Sequence, residues 1–299
     1  MVTMMISDRF LKNIGEKPIL LVGPTASGKS KIAMSLAMKL GRHIVNADSL
    51  QVYSNWRILT ARPTIKDEEI IPHHLYGHKA PDEEYSVGHW LRELSNILTT
   101  NKKLIIVGGT GLYFSALTEG LANIPKISDE TKIISEKRLL KYGIQDLLND
   151  LDKETRESID IKNPMRVIRA WEVLKETGKS LKKWQSETDA PILPLNKCQP
   201  LVINPDKNDL NKKIRARLKK MIKMGALDEA KKNLDMWNKG VIANKAIGAS
   251  ELISYLKNEI SLDEAITNAS IATRQYAKRQ RTWIKARMKQ WDDVTELIG

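Results

Sequence analysis

The chain has 299 residues with a formal net charge of +13, and 41% of its residues are hydrophobic. This composition is typical of a globular protein that buries one large core, alone or with an insertion. The single cysteine, Cys198, excludes an intrachain disulfide and fits a reducing compartment. No apolar run is long enough to cross a membrane, and the stretch from Met1 to Lys12 lacks the apolar centre of an export signal. We therefore expect a cytoplasmic protein with no membrane partner.

A phosphate-binding loop follows the first predicted strand. The apolar run Ile19–Val22 leads into residues 23–30, which match the pattern G-x-x-x-x-G-K-[ST] and are followed by a helical pattern. In such a loop, backbone N–H groups surround an anion, Lys29 neutralises phosphate oxygens, and the Ser30 hydroxyl can hold Mg²⁺. We therefore predict a di- or triphosphate site formed by Gly23, Pro24, Thr25, Ala26, Ser27, Gly28, Lys29 and Ser30.

Two further strands are predicted over His43–Ala47 and Leu104–Val107, and each ends beside candidate residues for a functional site. Asp48 follows the first strand, where a carboxylate can act as a general base beside the phosphate or can cap a helix. The turn Gly108–Gly111 follows the second strand and contains no acidic residue of the kind that holds magnesium in hydrolytic phosphate-loop enzymes. This pattern disfavours an ATPase and leaves room for the backbone to approach a ligand closely.

Four histidines, His73, His74, His78 and His89, lie close together in the sequence. They lack the cysteine partners and the fixed helical spacing that are typical of a zinc site. We expect the His73-His74 pair to pack in a turn or to contact polar atoms of a substrate.

The order of strands and helices predicts an α/β fold with a parallel sheet that is covered on both faces. Helical segments such as Asp129–Tyr142 and Arg166–Thr177 interrupt this alternation, and an apolar strand, Leu201–Ile203, then returns the chain to the sheet. We predict a phosphate-loop core over residues 1–117, an all-helical insertion over 118–195, and a core return with a helical C-terminal part over 196–299.

An arginine falls within an apolar helix stripe. On a predicted helix over Leu210–Met224, Arg217 lies about 20° from Leu210, which belongs to that stripe. An inward-facing arginine needs an anionic partner, because desolvating the guanidinium alone is costly. That partner is either a carboxylate in a structural ion pair or a bound phosphate.

Positive charge is concentrated in the last third of the chain, where residues 201–299 contain 20 Lys and Arg against 12 Asp and Glu. Arg274, Lys278, Arg281 and Lys285 share one helical face in a stretch without acidic residues. This basic face indicates a nucleic-acid partner. Trp283, within the same stretch, is expected to pack in the core, with base stacking as the alternative.

Several sequence blocks together resemble those of tRNA dimethylallyltransferases. They occur in the family's order over nearly the whole chain, and they are the phosphate-binding loop, Asp48 to Tyr53, Thr60 to Pro63, Val107 to Tyr113, Arg166 to Glu172 and Ala272 to Gln280. The resemblance implies a monomer with a core like that of nucleotide kinases and a helical insertion that grips the anticodon stem-loop of tRNA.

The resemblance also implies a reaction. A dimethylallyl group passes from dimethylallyl diphosphate to N6 of the adenosine immediately 3′ of the anticodon, in tRNAs that read codons beginning with U. The reaction needs Mg²⁺, yields N6-isopentenyladenosine and releases diphosphate. The alternatives are an adenylate isopentenyltransferase that acts on a free nucleotide, an ATP-dependent small-molecule kinase, and a non-enzymatic RNA-binding module.

Individual roles follow from the resemblance. Asp48 corresponds to the family's general base, Thr25 to the threonine that contacts the donor's bridging oxygen, and Arg217 to the arginine that binds the diphosphate. Lys29 and Ser30 are implied to hold the diphosphate and Mg²⁺. The residues implied or expected to contact tRNA are Asp48, Ser49, Leu50, Gln51, Thr110, Lys132, Met165, Arg166, Val167, Ile168, Arg169, Arg274, Lys278 and Arg281.

Two segments depart from the family pattern. Residues 55–59 read Asn-Trp-Arg-Ile-Leu where many members have Gly-Met-Asp-Ile-Gly, and residues 248–250 read Gly-Ala-Ser instead of Gly-Tyr-Arg. The second change removes an aromatic and a cationic side chain, which puts tRNA contacts over 245–250 in doubt. The chain also lacks the zinc finger of eukaryotic relatives, so the resemblance is to the bacterial type.

Overall fold

The computed structural model describes residues 14–298, with side chains to residue 296. The stretch from Met1 to Lys12, on which the expectation of no export signal depends, lies outside the described residues. In the described part of the chain, no helix is both long and apolar enough to cross a membrane.

Within residues 14–298, six strands form one parallel sheet in the order β3-β2-β4-β1-β5-β6. The strands are β1 (Ile19–Val22), β2 (His43–Asn46), β3 (His73–His74), β4 (Leu104–Gly108), β5 (Gln199–Val202) and β6 (Asp292–Asp293).

Helices connect the strands and cover the sheet. Before the insertion they are α1 (Lys29–Leu40), α2 (Ile65–Ile70), α3 (Val87–Thr100) and α4 (Gly111–Glu119). The next five are α5 (Asp129–Tyr142), α6 (Ile144–Asn149), α7 (Lys153–Ser158), α8 (Pro164–Thr177) and α9 (Leu181–Ser186). After β5 follow α10 (Lys207–Lys223), α11 (Ala226–Lys232), α12 (Leu234–Asn238), α13 (Ala249–Leu256) and α14 (Leu262–Arg287).

The centre of the sheet is apolar because helices cover both of its faces. All residues of β1 and β4 are buried, and β1 pairs with β4 on one side and with β5 on the other. Leu21 belongs to a cluster with Ile32 and Leu36 of α1, whose apolar positions recur at helical spacing. This packing holds the start of α1 at the carboxyl end of the central strands.

Two short edge strands were not predicted. The interpretation of His73-His74 as a turn was wrong, because these residues form β3 and pair with Ile44 and Val45 of β2. The rings of His43 and His74 stack with their centroids 5.3 Å apart. The other edge strand, β6, consists of two aspartates. Strands of two residues contain no periodic pattern, so only their pairing identifies them.

Contacts divide the chain into two compact units. One comprises the chain up to Thr118 and from Leu193 onward, and the other is Glu119–Ile192. The second unit contains α5 to α9 and its own core, in which Leu147, Val167 and Trp171 are buried. Helix α5 begins at an N-cap, Ser128, whose side chain accepts a hydrogen bond from the backbone N–H of Thr131.

Candidate active site

The phosphate-binding loop (residues 23–30) lies between β1 and α1, as the sequence predicts. The Ser27 N–H donates to the Pro24 carbonyl at 3.2 Å, and the Gly28 carbonyl accepts from the N–H of Lys31 at 3.0 Å. Gly28 caps the helix with a φ of 90°, a conformation that suits glycine. The loop is therefore anchored to the first turn of α1, where backbone dipoles favour an anion.

Two cations lie at this site, Lys29 of the loop itself and Arg217 of α10. Lys29 donates to the Pro24 carbonyl at 3.3 Å, and Arg217 Nη1 lies 3.4 Å from the Thr25 hydroxyl oxygen. Burial lowers the pKa of Lys29 to about 8, with Asp48 opposing this shift and Arg217 adding to it. Burial also lowers the pKa of Arg217, and the Asp48 carboxylate opposes that shift. Arg217 belongs to α10, late in the sequence, and its side chain nevertheless lies beside the phosphate-binding loop.

A buried turn after β2 holds Asp48. The Asn46 side chain spans this turn, since its Oδ1 accepts from the Asp48 N–H at 2.8 Å and its Nδ2 donates to the Asp48 carbonyl at 2.9 Å. Asp48 Oδ1 in turn accepts from the Leu50 N–H at 3.1 Å. Residues 49–52 form a turn and not a helix, so the interpretation of Asp48 as a helix cap was wrong, and its carboxylate instead holds this turn and lines a cavity. Asn46 is a supporting residue that the sequence analysis did not assign.

One cavity brings the candidate catalytic residues together. Polar groups line one part of it and aliphatic side chains line the rest, an arrangement that suits a ligand with a charged end and a short apolar tail. The lining residues are Thr25, Ala26, Asp48, Leu50, Leu59, Thr60, Ile214, Arg217, Leu218, Met221, Ile247, Thr273 and Tyr276. Lys29 is not part of this lining, although its charge interacts with those of Asp48 and Arg217.

Tyr276 of α14 is a member of this cavity that the sequence analysis did not assign, although it falls within one of the matching blocks. Burial raises the pKa of its hydroxyl, and the nearby Asp48 carboxylate raises it further. Tyr276 therefore stays protonated at neutral pH and keeps a hydrogen-bond donor in the cavity.

The glycine-rich turn after β4 packs against α14. A Cβ atom at Gly109 would lie 2.1 Å from the amide nitrogen of Gln280, and one at Gly111 would lie 2.2 Å from the Trp283 ring. The expectation that these glycines leave room for a ligand was wrong, because side chains of α14 occupy that space. Trp283 is half-buried and packs against Gly111, so it lies at the edge of the core and not within it as expected.

The residues that were expected to line the path of the tRNA nucleotide have distinct surroundings. Thr110 accepts a hydrogen bond from the Ser49 N–H at 3.0 Å, which links the turns after β4 and β2. Leu50 lines the cavity. The side chain of Gln51 is instead directed to the main chain, where it donates to the Thr60 and Ala61 carbonyls at 2.8 and 3.2 Å.

The predicted tRNA contacts in the insertion differ in how far their side chains are exposed to solvent. Met165, Arg166 and Arg169 are exposed on α8. Val167 is wholly buried in the core of the insertion, so the expectation that its side chain contacts tRNA was wrong. Ile168 is half-buried against the same core. Another predicted contact, Lys132 of α5, lies 3.0 Å from the Asp129 carboxylate in an ion pair.

The basic face of α14 borders a groove with the first turns of α10. The groove has a volume of about 510 Å³, and its lining includes Arg274, Lys278, Arg281 and Lys285 together with Lys207. Arg281 Nε lies 3.3 Å from the side-chain oxygen of Asn204, whereas Arg274 and Lys278 are exposed. The four basic side chains of the expected face therefore lie along one groove.

Magnesium ligands are sparse in the structure. Ser30 is exposed in the first turn of α1. Among residues 14–298 there is no group of three or more His, Cys, Asp or Glu side chains that could hold a metal ion. This donor set fits an ion that is held mainly by substrate phosphates and water, which is how Mg²⁺ commonly binds.

The segment over residues 55–59, which departs from the family pattern, is held by a carboxylate from α11. Glu229 accepts hydrogen bonds from the backbone N–H groups of Arg57, Ile58 and Leu59 at 2.6 to 2.9 Å. This anchor places Leu59 and Thr60 in the cavity wall. In the other departing segment, Ala249 is wholly buried and Ser250 is exposed.

Comparison of the chain with protein families gives two matches. The family described as IPP transferase matches residues 51–287, and the family described as isopentenyl transferase matches residues 17–71. Among individual relatives, a tRNA dimethylallyltransferase of Cereibacter sphaeroides is 49% identical over 93% of this chain and 89% of its own length. A tRNA dimethylallyltransferase of Jannaschia sp. is also 49% identical, over 93% of this chain and 96% of its own.

Solved structures show the same likeness. The full-length tRNA isopentenylpyrophosphate transferase of Bacillus halodurans is 32% identical, with a TM-score of 0.65 over 93% of this chain and 90% of that one. A eukaryotic dimethylallyltransferase, captured acting on tRNA, is 25% identical, with a TM-score of 0.80 over 94% of this chain and 75% of that one.

Proposed function

The chain belongs to the IPP transferase family of tRNA dimethylallyltransferases, and we propose that it modifies the adenosine immediately 3′ of the anticodon. The chain is a prenyltransferase that modifies tRNA by dimethylallyl transfer. The donor in this proposal is dimethylallyl diphosphate, the acceptor atom is N6 of the adenosine, and the substrates are tRNAs that read codons beginning with U.

The cavity is the observation that carries the proposal. It combines a carboxylate, Asp48, with the Thr25 hydroxyl and the Arg217 guanidinium, and aliphatic side chains form much of the remaining wall. A prenyl diphosphate needs both kinds of surface, because its diphosphate must be neutralised and its hydrocarbon part must be kept from water.

The residues have complementary tasks in the transfer. The adenine N6 attacks the allylic carbon of the donor, the carbon–oxygen bond breaks, and the diphosphate leaves with the bonding electron pair. Asp48 accepts the proton that the N6 amine loses. Thr25 donates its hydroxyl hydrogen toward the bridging oxygen, while Arg217 and Lys29 neutralise the charge that develops on the leaving diphosphate.

Magnesium has a place in this scheme at the start of α1. Ser30 would hold the ion together with oxygens of the diphosphate. Bound there, the ion would supply positive charge that makes the diphosphate a better leaving group.

The tRNA contacts are assigned from exposure and charge. We assign the target nucleotide to Ser49, Leu50 and Thr110, which lie in the turns next to Asp48, and Arg166 and Arg169 offer exposed cations on the insertion. The basic face of α14 supplies phosphate contacts to the anticodon stem-loop. We also infer that the enzyme acts as a cytoplasmic monomer, in agreement with its substrate and with the resemblance.

The proposal is tested by incubating the protein with dimethylallyl diphosphate, Mg²⁺ and unmodified tRNA whose anticodon ends in adenosine, followed by nucleoside mass spectrometry. A matched tRNA whose anticodon ends in another base is the control. We expect a dimethylallyl mass increment on the adenosine 3′ of the anticodon in the first tRNA only. Modification of free AMP without modification of tRNA, or phosphate transfer from ATP, would contradict the proposal.

A further inference from the structure

The side chain of Gln280 joins two loops of the candidate active site. Gln280 lies on α14 and is buried. Its Oε1 accepts a hydrogen bond from the Thr25 N–H at 2.8 Å, and its Nε2 donates to the Gly109 carbonyl at 2.9 Å. A single amide thus bridges the phosphate-binding loop and the turn after β4.

We propose that Gln280 is a positioning residue for dimethylallyl transfer, which sets the donor-binding loop at the correct distance from the acceptor-binding turn. This inference rests on the proposed function, because it concerns the geometry of the same reaction. Gln280 acts through Thr25 and Gly109 and does not line the cavity itself.

The two loops approach closely enough for this bridge only because position 109 is a glycine. A Cβ atom there would meet the Gln280 amide nitrogen at 2.1 Å and would lie 3.3 Å from the Gly23 carbonyl oxygen. The Gly23 N–H also donates to the Gly108 carbonyl at 3.3 Å. The side chain of Gln280 therefore closes a junction where the two loops already touch.

Hydrogen bonds continue from both ends of the bridge to the groups that are assigned to the chemistry. On the donor side, the Thr25 hydroxyl oxygen lies 3.4 Å from Arg217 Nη1. On the acceptor side, Thr110 donates its N–H to the Ala47 carbonyl at 3.2 Å and accepts from the Ser49 N–H, on either side of Asp48. Loss of the bridge therefore removes one hydrogen bond on each side and should shift both groups of residues.

The chemistry of the bridge requires an amide. The Thr25 N–H needs a hydrogen-bond acceptor and the Gly109 carbonyl needs a donor. The side-chain amide of glutamine supplies both. A glutamate carboxylate accepts from Thr25 but places a negative charge against the Gly109 carbonyl. Methionine has a similar length and forms neither bond.

The test compares Gln280→Met and Gln280→Glu with Gln290→Met, a control at an exposed glutamine just beyond the same helix. We expect kcat for dimethylallyl transfer to fall about 10- to 100-fold in both Gln280 variants, because small misplacements of reacting groups cost that much. The Kd for tRNA should stay within about twofold of the parent value, since Gln280 lies outside the assigned tRNA face. The control should match the parent protein in both measurements.

A double-mutant cycle with Thr25→Ala, which keeps the Thr25 backbone N–H, separates positioning from general destabilisation. If Gln280 acts through the Thr25 hydroxyl, Gln280→Met in the Thr25→Ala background should lower kcat by less than about threefold further. An unchanged kcat in the single variants, or the same loss in both backgrounds, would overturn the proposal.

Amide hydrogen exchange gives a readout that does not depend on the reaction. Gln280→Met should accelerate exchange at the Thr25 amide, and Gln290→Met should leave it unchanged. If the parent protein does not transfer dimethylallyl groups to tRNA, the proposed function fails. Faster exchange at Thr25 then still supports the bridge, and unchanged exchange excludes it.

Discussion

The cations of the insertion and those of the candidate active site are neutralised in different ways. In the insertion, Arg138 lies between two carboxylates, with Nε 2.5 Å from Asp146 and Nη1 2.6 Å from Asp150. At the active site, no carboxylate oxygen of the described residues lies within 4.0 Å of the side-chain nitrogens of Lys29 or Arg217. Neither cation therefore forms an ion pair there.

The pKa shifts of these cations have opposite directions. The hydrogen bonds that Arg138 donates to the Asp146 and Asp150 carboxylates raise its pKa, whereas burial lowers the pKa of Lys29 to about 8. A cation that is desolvated without a carboxylate partner is costly to the fold, and such strain is common where a ligand supplies the missing anion. The comparison thus separates Arg138, which is paired within the protein, from Lys29 and Arg217, which the proposed function assigns to the diphosphate.

The largest expected effect comes from removing the carboxylate of Asp48, which lines the cavity together with Arg217. Asp48→Ala should lower kcat by about 10²- to 10⁴-fold, because the N6 proton loses its acceptor. Binding of tRNA, measured by filter retention, should stay close to the parent value. Retained activity in this variant would show that another group accepts the proton.

A matched pair of arginine substitutions tests the comparison directly. Arg217→Ala should lower kcat/KM for the donor by about 10- to 100-fold, since a hydrogen bond to a charged group contributes about 1.5–3 kcal/mol. Arg138→Ala should instead destabilise the protein by about 1 kcal/mol, through its ion pairs and its contact with the Trp171 ring. Steady-state kinetics and thermal unfolding of both variants are the measurements. The reverse pattern would contradict the distinction between the two cations.

The shifted pKa of Lys29 predicts a pH dependence of donor binding. Only the protonated form attracts a diphosphate, and this form is lost as the pH rises through about 8 in the free enzyme. Affinity for dimethylallyl diphosphate should therefore fall by up to about tenfold per pH unit above that value. Binding measured by calorimetry in Lys29→Met, which cannot titrate, should be weaker and should lack this fall. A parent protein whose affinity is flat from pH 7 to about 10 would exclude the assignment.

The smallest expected effect concerns the basic face of α14. Replacing Arg274, Lys278 and Arg281 by glutamine should weaken tRNA binding and reduce the slope of log K against log salt by about 2 to 3. The control replaces Lys39, Lys102 and Lys103, which are exposed and lie just before β2 and β4, at the amino ends of these strands. Equal effects of the two triple variants would mean that tRNA binding depends on the net charge of the protein and not on this face.

Much of the fold followed from local patterns. The predicted strand Ile19–Val22 and helix Asp129–Tyr142 are confirmed with the same bounds, and His43–Asn46 ends one residue before its predicted end. The strand near residue 201 begins earlier than predicted and includes Gln199 and Pro200. Periodic apolar residues mark the regular elements, but a two-residue edge strand such as β3 has no period to recognise.

The candidate site was predictable to a different extent for each residue. The phosphate-binding loop has a continuous motif, and Arg217 is conspicuous because it interrupts an apolar stripe. Val167, by contrast, lies in a matching block and is nevertheless a core residue. A block of sequence does not distinguish the side chains of a helix that face solvent from those that face its core.

The sequence by itself determined the phosphate-binding loop, the parallel α/β core and the basic C-terminal helix, because each depends on residues that are close along the chain. Only the tertiary structure decided that Gln280 bridges Thr25 and Gly109, that Tyr276 joins the cavity, and that Glu229 anchors the segment after Asn55. Gln280 and Thr25 are 255 residues apart, and their contact depends on how α14 packs across the carboxyl ends of the strands. Such packing is the joint result of many apolar contacts, so no local pattern encodes it.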